Sequence, residues 1–203
     1  MATVSVDGRV TGVGSLPFLI LSGPPGSGKT TVGRLVAERY DRSAVIESDW
    51  FWTTISRGFV RQWEPEADNH NQVVIRSVFA VAARMAAGGY RTVVEGIVGP
   101  WYLDLVRQEL RIAKVAAHYV VLRPDLAKCL GRAKPRAGEE RVPRHPALTE
   151  EGPVRYMWQQ FTDLGKYTRY AVDSTGLSQY ETAEIVSAGM ADGRFALSTG
   201  WRY

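Results

Sequence analysis

Apolar runs and stretches with helical spacing alternate along almost the whole chain. Phe18 to Leu21 is a short apolar run that suits a buried strand, and Thr30 to Tyr40 carries Val32, Leu35 and Val36 at helical spacing. "SAVIES" reads as a second strand, ending at Asp49. From Pro65 to Ala87, Val73, Val74, Val78, Val81, Ala82 and Met85 recur at helical spacing, and Gly88-Gly89 stops that helix. "RTVVEGIV" predicts a third strand, after which Pro100 opens a helix through Leu103, Val106 and Leu110. "VAAHYVVL" predicts a fourth strand and "DLAKCLGRA" a helix, followed by a helix through Val154, Met157, Phe161 and Leu164. "YTRYAVDST" reads as a fifth strand, and Glu181 to Met190 as a closing helix. Strands separated by crossover helices imply a parallel sheet covered on both faces, with ligands at the C-terminal ends of its strands.

Two stretches fall outside this alternation. Residues 1–16 read as an edge strand or a loose extension and carry no assigned chemistry. "AKPRAGEERVPRHPALTEEG" is rich in Pro, Gly and charge; it reads as an excursion over about 132–152 from one domain spanning 1–203, not as a linker between two.

The turn between the first strand and helix is where chemistry enters. In "GPPGSGKTT" the glycines Gly23, Gly26 and Gly28 permit backbone angles that a side chain forbids, so that successive N–H groups can point inward. At the positive end of a helix such a nest holds an anion. The spacing Gly23-x4-Gly28-Lys29-Thr30 fits the Walker A pattern completely. Gly23, Pro24, Pro25, Gly26, Ser27, Gly28, Lys29, Thr30 and Thr31 are therefore expected to hold a nucleoside triphosphate, with Lys29 on the outer phosphates and the Thr30 hydroxyl on Mg²⁺.

The ends of the next two strands carry carboxylates beside aromatic residues. After the second strand comes "ESDWFW", where Asp49 can accept the proton of an attacking hydroxyl, and Trp50, Phe51 and Trp52 can wall an acceptor pocket. The other reading makes Asp49 a helix cap and the aromatics core; Glu47 is the reserve base. The third strand ends at Glu95, a metal-holding acid in the Walker B place or a structural carboxylate paired with an arginine, with Trp101 and Tyr102 following on the acceptor side. In the charged excursion, Arg132 and Arg136, and less directly Arg141 and Arg144, can fold over a triphosphate, or else pair with Glu139 and Glu140.

Composition narrows the classes. The net charge of +4 comes from Arg more than Lys and forms no long basic run, which argues against a dedicated nucleic-acid binder. The chain shows no membrane-spanning stretch and no signal sequence, and its single cysteine, Cys129, permits no intramolecular disulfide. A cytoplasmic setting is expected, with Cys129 as a small buried hydrophobe on a helix. No "NKxD"-type stretch follows the fourth strand, which argues against a regulatory GTPase.

"GPPGSGKTT", "ESDWFW", "RTVVEGIV", "YVVLRPDLAKCLGRAKPR" and "AVDST", in this order and spacing, resemble the small P-loop kinases: chloramphenicol phosphotransferase, gluconate and shikimate kinases, zeta toxin and the kinase domain of polynucleotide kinases. The likeness runs from Phe18 to Phe195. It implies an α/β fold, the P-loop NTPase three-layer sandwich, with a five-stranded parallel sheet in order 2-3-1-4-5 and an arginine-bearing lid. It also implies ATP and Mg²⁺ as cofactors, Asp49 facing the acceptor hydroxyl, Arg132 and Arg136 as lid arginines, and Ser174, Thr175 and Gly176 bordering the adenine. Two departures stand out: Glu95 where Asp is usual, implying metal contact through water, and a tryptophan-rich acceptor side. In this family the long helix lies over the acceptor pocket, so His70 at its start either bonds a substrate or stays on the surface. Arg57 and Arg61 beside Trp63 either bind an acidic acceptor or are exposed.

The expected function is an ATP:alcohol phosphotransferase acting on a small aromatic or partly apolar acceptor, antibiotic- or nucleoside-like. The alternatives are a polynucleotide 5′-hydroxyl kinase, in which the aromatics stack bases, and a nucleotide-switched binding protein with no small-molecule acceptor.

Overall fold

Five parallel strands form the sheet of this computed structural model, which describes residues 17–60, 62, 64–133 and 151–198. The strands are β1 (Phe18–Ser22), β2 (Ser43–Glu47), β3 (Arg91–Glu95), β4 (Ala117–Leu122) and β5 (Ala171–Val172), in the order β2-β3-β1-β4-β5. β1 lies at the centre, pairing Leu19 with Val93 on one side and with His118 on the other. Every residue of β1 and β4 is buried, which is why both read as continuous apolar runs rather than as alternation.

The helices are α1 (Lys29–Ala37), α2 (Asp49–Thr53), α3 (Asp68–Ala87), α4 (Leu103–Ala113), α5 (Leu126–Ala133), α6 (Glu151–Gln160) and α7 (Gln179–Ala191). α1 packs on α7 and α3 on α4, one pair to each face of the sheet. Gly33 lets α1 sit close to the sheet, since a Cβ there would already touch the Val93 and Leu21 side chains. On the opposite face the Phe18 ring meets Phe79 of α3 with centroids 6.1 Å apart.

The long α3 does more than cover the sheet. Its 20 residues span about 30 Å at about 1.5 Å per residue, against about 17 Å for a strand of the length of β3. It ends at Gly88-Gly89, two residues before β3 begins, and runs back along that strand. Its first turns therefore overhang the C-terminal edge of the sheet.

Two expectations need correction. The fifth strand is only Ala171–Val172, and Gly165–Tyr170 coils into a 3₁₀ helix. The first half of β4 takes its edge partner elsewhere: His118 bridges Ala196, and the Tyr119 and Leu197 N–H groups bond to Phe195 and Ala117. The stretch before β5 has no edge left to join and instead sets the Tyr170 ring edge-on to Tyr119, 5.5 Å between centroids. The second strand stops at Glu47 and not at Asp49, because "DWFWT" is the short helix α2, with Trp52 on its core side.

Residues 1–16, Arg61, Trp63, Arg136, Glu139, Glu140, Arg141 and Arg144 lie outside the described residues. Among those described, no helix is long and apolar enough to cross a membrane.

Candidate active site

The turn between β1 and α1 is shaped by contacts that admit no side chain. Gly26 has φ of +77°, and a Cβ there would stand 2.3 Å from the Cys129 carbonyl oxygen of α5. α1 follows with no side chain bonded to its first turn, which leaves its N–H groups facing the loop. The Lys29 ammonium reaches back to donate to the Pro24 carbonyl at 3.0 Å. Ser27 is buried with its Oγ unpartnered, a polar atom aimed at no protein group. Thr31 is half-buried on α1.

Thr30 ties this loop to the third strand. Its hydroxyl donates to Glu95 Oε1 at 3.0 Å. Glu95 is almost fully buried, and burial pushes its carboxyl up to about 7, with the charges of Asp49 and Glu47 adding to the effect. The Lys29 charge and the Thr30 hydrogen bond pull the other way and do not win. Among the described residues Glu95 is thus tied to a threonine and not to an arginine. A buried carboxylate beside a threonine hydroxyl is a hard-oxygen pair that suits Mg²⁺. Among the described residues no group of three or more His, Cys, Asp or Glu side chains gathers to hold a metal by itself. A Mg²⁺ at this pair therefore needs phosphate and water oxygens to complete its shell.

Asp49 begins α2, one residue beyond Ser48, whose N–H donates to the Glu95 carbonyl at 2.8 Å. Ser48 is held there by the bare backbone of Gly96, where a Cβ would come within 1.8 Å of Ser48 Oγ. Asp49 is exposed, while Glu47 accepts from Arg34 Nη2 at 2.7 Å. The loop after β3 is fixed as firmly: the Val98 N–H donates to Ser22 Oγ, and its carbonyl accepts from the Tyr119 hydroxyl.

The aromatics divide. Trp52 is core, with its indole N–H unpartnered; Phe51 is half-buried, and Trp50 is half exposed. Trp101 lies over Gly99 and packs at a tilt against Phe161, 5.5 Å between centroids. His70 is half-buried, its ring edge on Phe59 and its Nε2 buried without a partner, so it is not a surface histidine. Arg57 is exposed.

On the far side, Arg132 at the end of α5 reaches over the loop, its guanidinium 3.5 Å from the Ser27 carbonyl. Ser174 is buried with its hydroxyl unpartnered. Thr175 donates to Asp173 and accepts from the Asp125 N–H, fastening the ends of β4 and β5 together beside a cleft of about 300 Å³. Gly176 has open space above it. Cys129 is buried in a small cluster with Ala133 and Val154, and burial raises its thiol to about 11.

A family model described as an AAA domain, AAA_33, matches residues 18–161. The chain belongs to the AAA_33 family. Its fold is that of the small P-loop kinases. Cytidylate kinase of Archaeoglobus fulgidus is 25% identical over 156 residues, covering 75% of this chain and 81% of that protein. The tunicamycin resistance protein of Deinococcus radiodurans superposes with a TM-score of 0.63 at 19% identity, covering 86% of this chain and 95% of that one. Shikimate kinase of Acinetobacter baumannii, solved with shikimate, gives 0.56 at 21%, covering 88% and 95%.

Sequence reasoning did not single out Asn71, Ser48 or Gly96. Asn71 is buried at the overhanging start of α3, donates to the Gln62 carbonyl at 2.8 Å and leaves its own carbonyl unpartnered. A polar residue amid "ADNHNQ" gives no sign from composition that it is turned inward.

Proposed function

We propose that the protein is an ATP-dependent phosphotransferase that moves the γ-phosphate to a hydroxyl of a small, partly apolar acceptor. The observation that carries this reading is the Thr30–Glu95 hydrogen bond beside Asp49, which joins the phosphate loop to an acidic pair at the ends of two neighbouring strands. The inward-facing loop and the first turn of α1 would cradle the triphosphate, with Lys29 moving from Pro24 onto the outer phosphates. Thr30 and Glu95 would hold Mg²⁺, Glu95 through water, and the ion supplies charge neutralisation on the β- and γ-phosphates when bound. Arg132 would place its guanidinium on the transferred group.

Asp49 would receive the acceptor's proton as the hydroxyl oxygen bonds to the γ-phosphorus and the bond to the β–γ bridging oxygen breaks, releasing ADP. Most of the rate would come from alignment and charge placement, because the chain has little covalent chemistry of its own to do here. The test is a panel of hydroxylated metabolites, nucleosides and antibiotics screened for acceptor-stimulated ADP release. Turnover that no acceptor raises above slow hydrolysis would overturn the reading.

A further inference from the structure

Trp101 is 47% exposed, and one exposed aromatic is ordinary on a protein surface. What sets this one apart is its seat. Gly99 has φ of −75° and ψ of 173°, a conformation open to any residue, so the backbone does not call for glycine there. The ring does: a Cβ on Gly99 would stand 2.2 to 2.4 Å from Cη2, Cζ2 and Cζ3 of Trp101. The fully buried Phe161 backs the indole at 5.5 Å between centroids, and Tyr102 meets it edge-on at 6.0 Å. A ring held by three neighbours, with nearly half of its residue open, loses little freedom when a ligand covers it.

The seat is fixed beside the phosphate loop. After Glu95 the chain leaves β3 and crosses the end of β1. The Gly96 N–H donates to the Leu21 carbonyl at 3.2 Å, and the Val98 N–H to Ser22 Oγ at 3.0 Å. Ser22 is the residue before Gly23, where the phosphate loop begins. The Tyr119 hydroxyl of β4 holds the Val98 carbonyl at 2.7 Å, and the Tyr102 N–H donates to the Gly99 carbonyl at 3.0 Å. Phe161 directly follows α6, which Trp158 ties to the end of β4 by donating its indole N–H to the Pro124 carbonyl at 2.9 Å. Trp101 is thus held on the C-terminal edge of the sheet, the edge at which ligands of such folds bind.

We propose that Trp101, seated on Gly99 and backed by Phe161, is a specificity-determining residue that selects an acceptor carrying a planar aromatic or heteroaromatic ring beside its hydroxyl. This rests on the acceptor reading proposed above and narrows it from partly apolar to ring-bearing. A planar ring offers the indole a π-face and gains from offset or edge-on contact beyond the area it buries. A saturated ring of the same size buries at least as much apolar surface but has no such face. Burial alone therefore favours the saturated ligand, and stacking favours the planar one.

Two matched pairs of alcohols separate these effects: uridine with dihydrouridine, and 2-phenylethanol with 2-cyclohexylethanol. Each is titrated calorimetrically into the full-length protein with Mg·AMPPNP at saturation, so that the probe does not enter the nucleotide site. At least one planar probe should bind about five-fold or more tighter than its saturated match, as stacking on an aromatic side chain allows. Trp101→Leu removes the ring, and Gly99→Ala pushes it off its seat. Each should bring the pair within about two-fold of one another and leave the AMPPNP titration unchanged, which also shows that the variants are folded. Binding of neither planar probe, a saturated match that binds as well, or a preference that survives either substitution would overturn the inference. A preference that depends on Trp101, with no phosphate passed from ATP to any hydroxyl, would keep the inference and overturn the phosphotransferase reading. ATP-dependent transfer at equal rates to planar and saturated probes would do the reverse.

Discussion

The Thr30 hydroxyl and the Glu95 carboxylate meet at 3.0 Å, across the junction of the phosphate loop and the third strand. Burial has left this carboxyl near 7, so the folded protein keeps a proton there that the unfolded chain releases near its ordinary value of 4.5. Stability from this group is therefore present below about pH 4.5 and is lost as the pH rises towards about 7, a difference of about 3 kcal/mol at most. Glu95→Gln removes that slope. Without nucleotide or divalent metal, urea unfolding should find the variant gaining on the wild type between pH 5 and pH 8. A constant difference across that range would mean that Glu95 is already ionised at low pH.

Gly96 tests how closely the two acidic strand ends depend on each other. A Cβ at this position would stand 1.8 Å from Ser48 Oγ, so Gly96→Ala must push Ser48 and the adjoining Asp49 away from β3. Overpacking of this kind costs about 1–3 kcal/mol, and a displacement near 1 Å can cost about 10²-fold in rate. Thermal unfolding should show a folded protein of lowered Tm, with kcat reduced far more than nucleotide affinity. A variant with wild-type kcat would show that the Ser48 contact does not set the position of Asp49.

How far the sequence discloses this site depends on whether a residue's role is written in its neighbours. The phosphate loop is legible because glycine spacing, lysine and threonine must all occur within a few positions, and the sheet order follows once the chain is seen to resemble small P-loop kinases. The length of β5 is not legible: "YTRYAVDST" has strand composition, but whether it pairs is decided by Phe195–Leu197 arriving from a remote part of the chain to occupy the edge of β4. The same holds for Trp52 and Trp50. Two tryptophans two residues apart look alike in sequence, and only the packing of α2 on α3 buries one and leaves the other half exposed. Glu47 illustrates the limit for charge: its partner Arg34 lies on a different element.

Arg132 is placed over the phosphate loop by α5, with its guanidinium 3.5 Å from the Ser27 carbonyl, a long contact that leaves its remaining donors available. Its role is proposed to fall mainly on the transferred phosphoryl. Arg132→Ala should then lower kcat by about 10²-fold or more while raising the KM for ATP only slightly. Steady-state kinetics over a range of ATP concentrations separates the two. A change confined to KM would make Arg132 a nucleotide-binding residue only.

Asp49 and Glu47 offer a sharper comparison, since both lie at the end of β2 and both charges are felt at Glu95. Glu47 already has a partner in Arg34, on α1, at 2.7 Å. Asp49 is exposed at the start of α2. If Asp49 accepts the acceptor's proton, Asp49→Asn keeps its shape and removes the charge, and kcat should fall by about 10²- to 10⁴-fold, the usual contribution of a positioned base. ATP affinity should be nearly unchanged, because Asp49 is assigned to the acceptor side. Glu47→Gln breaks a partly exposed ion pair, whose loss costs about 1 kcal/mol or less, and should leave transfer within a few-fold of the wild type. The measurement is acceptor-dependent ADP release for both variants, beside nucleotide titration. If Asp49→Asn loses ATP affinity instead, Asp49 acts on the metal and the base lies elsewhere on this edge. If Glu47→Gln shows the larger loss of kcat, the roles of the two carboxylates are reversed, and the ion pair with Arg34 must open during turnover.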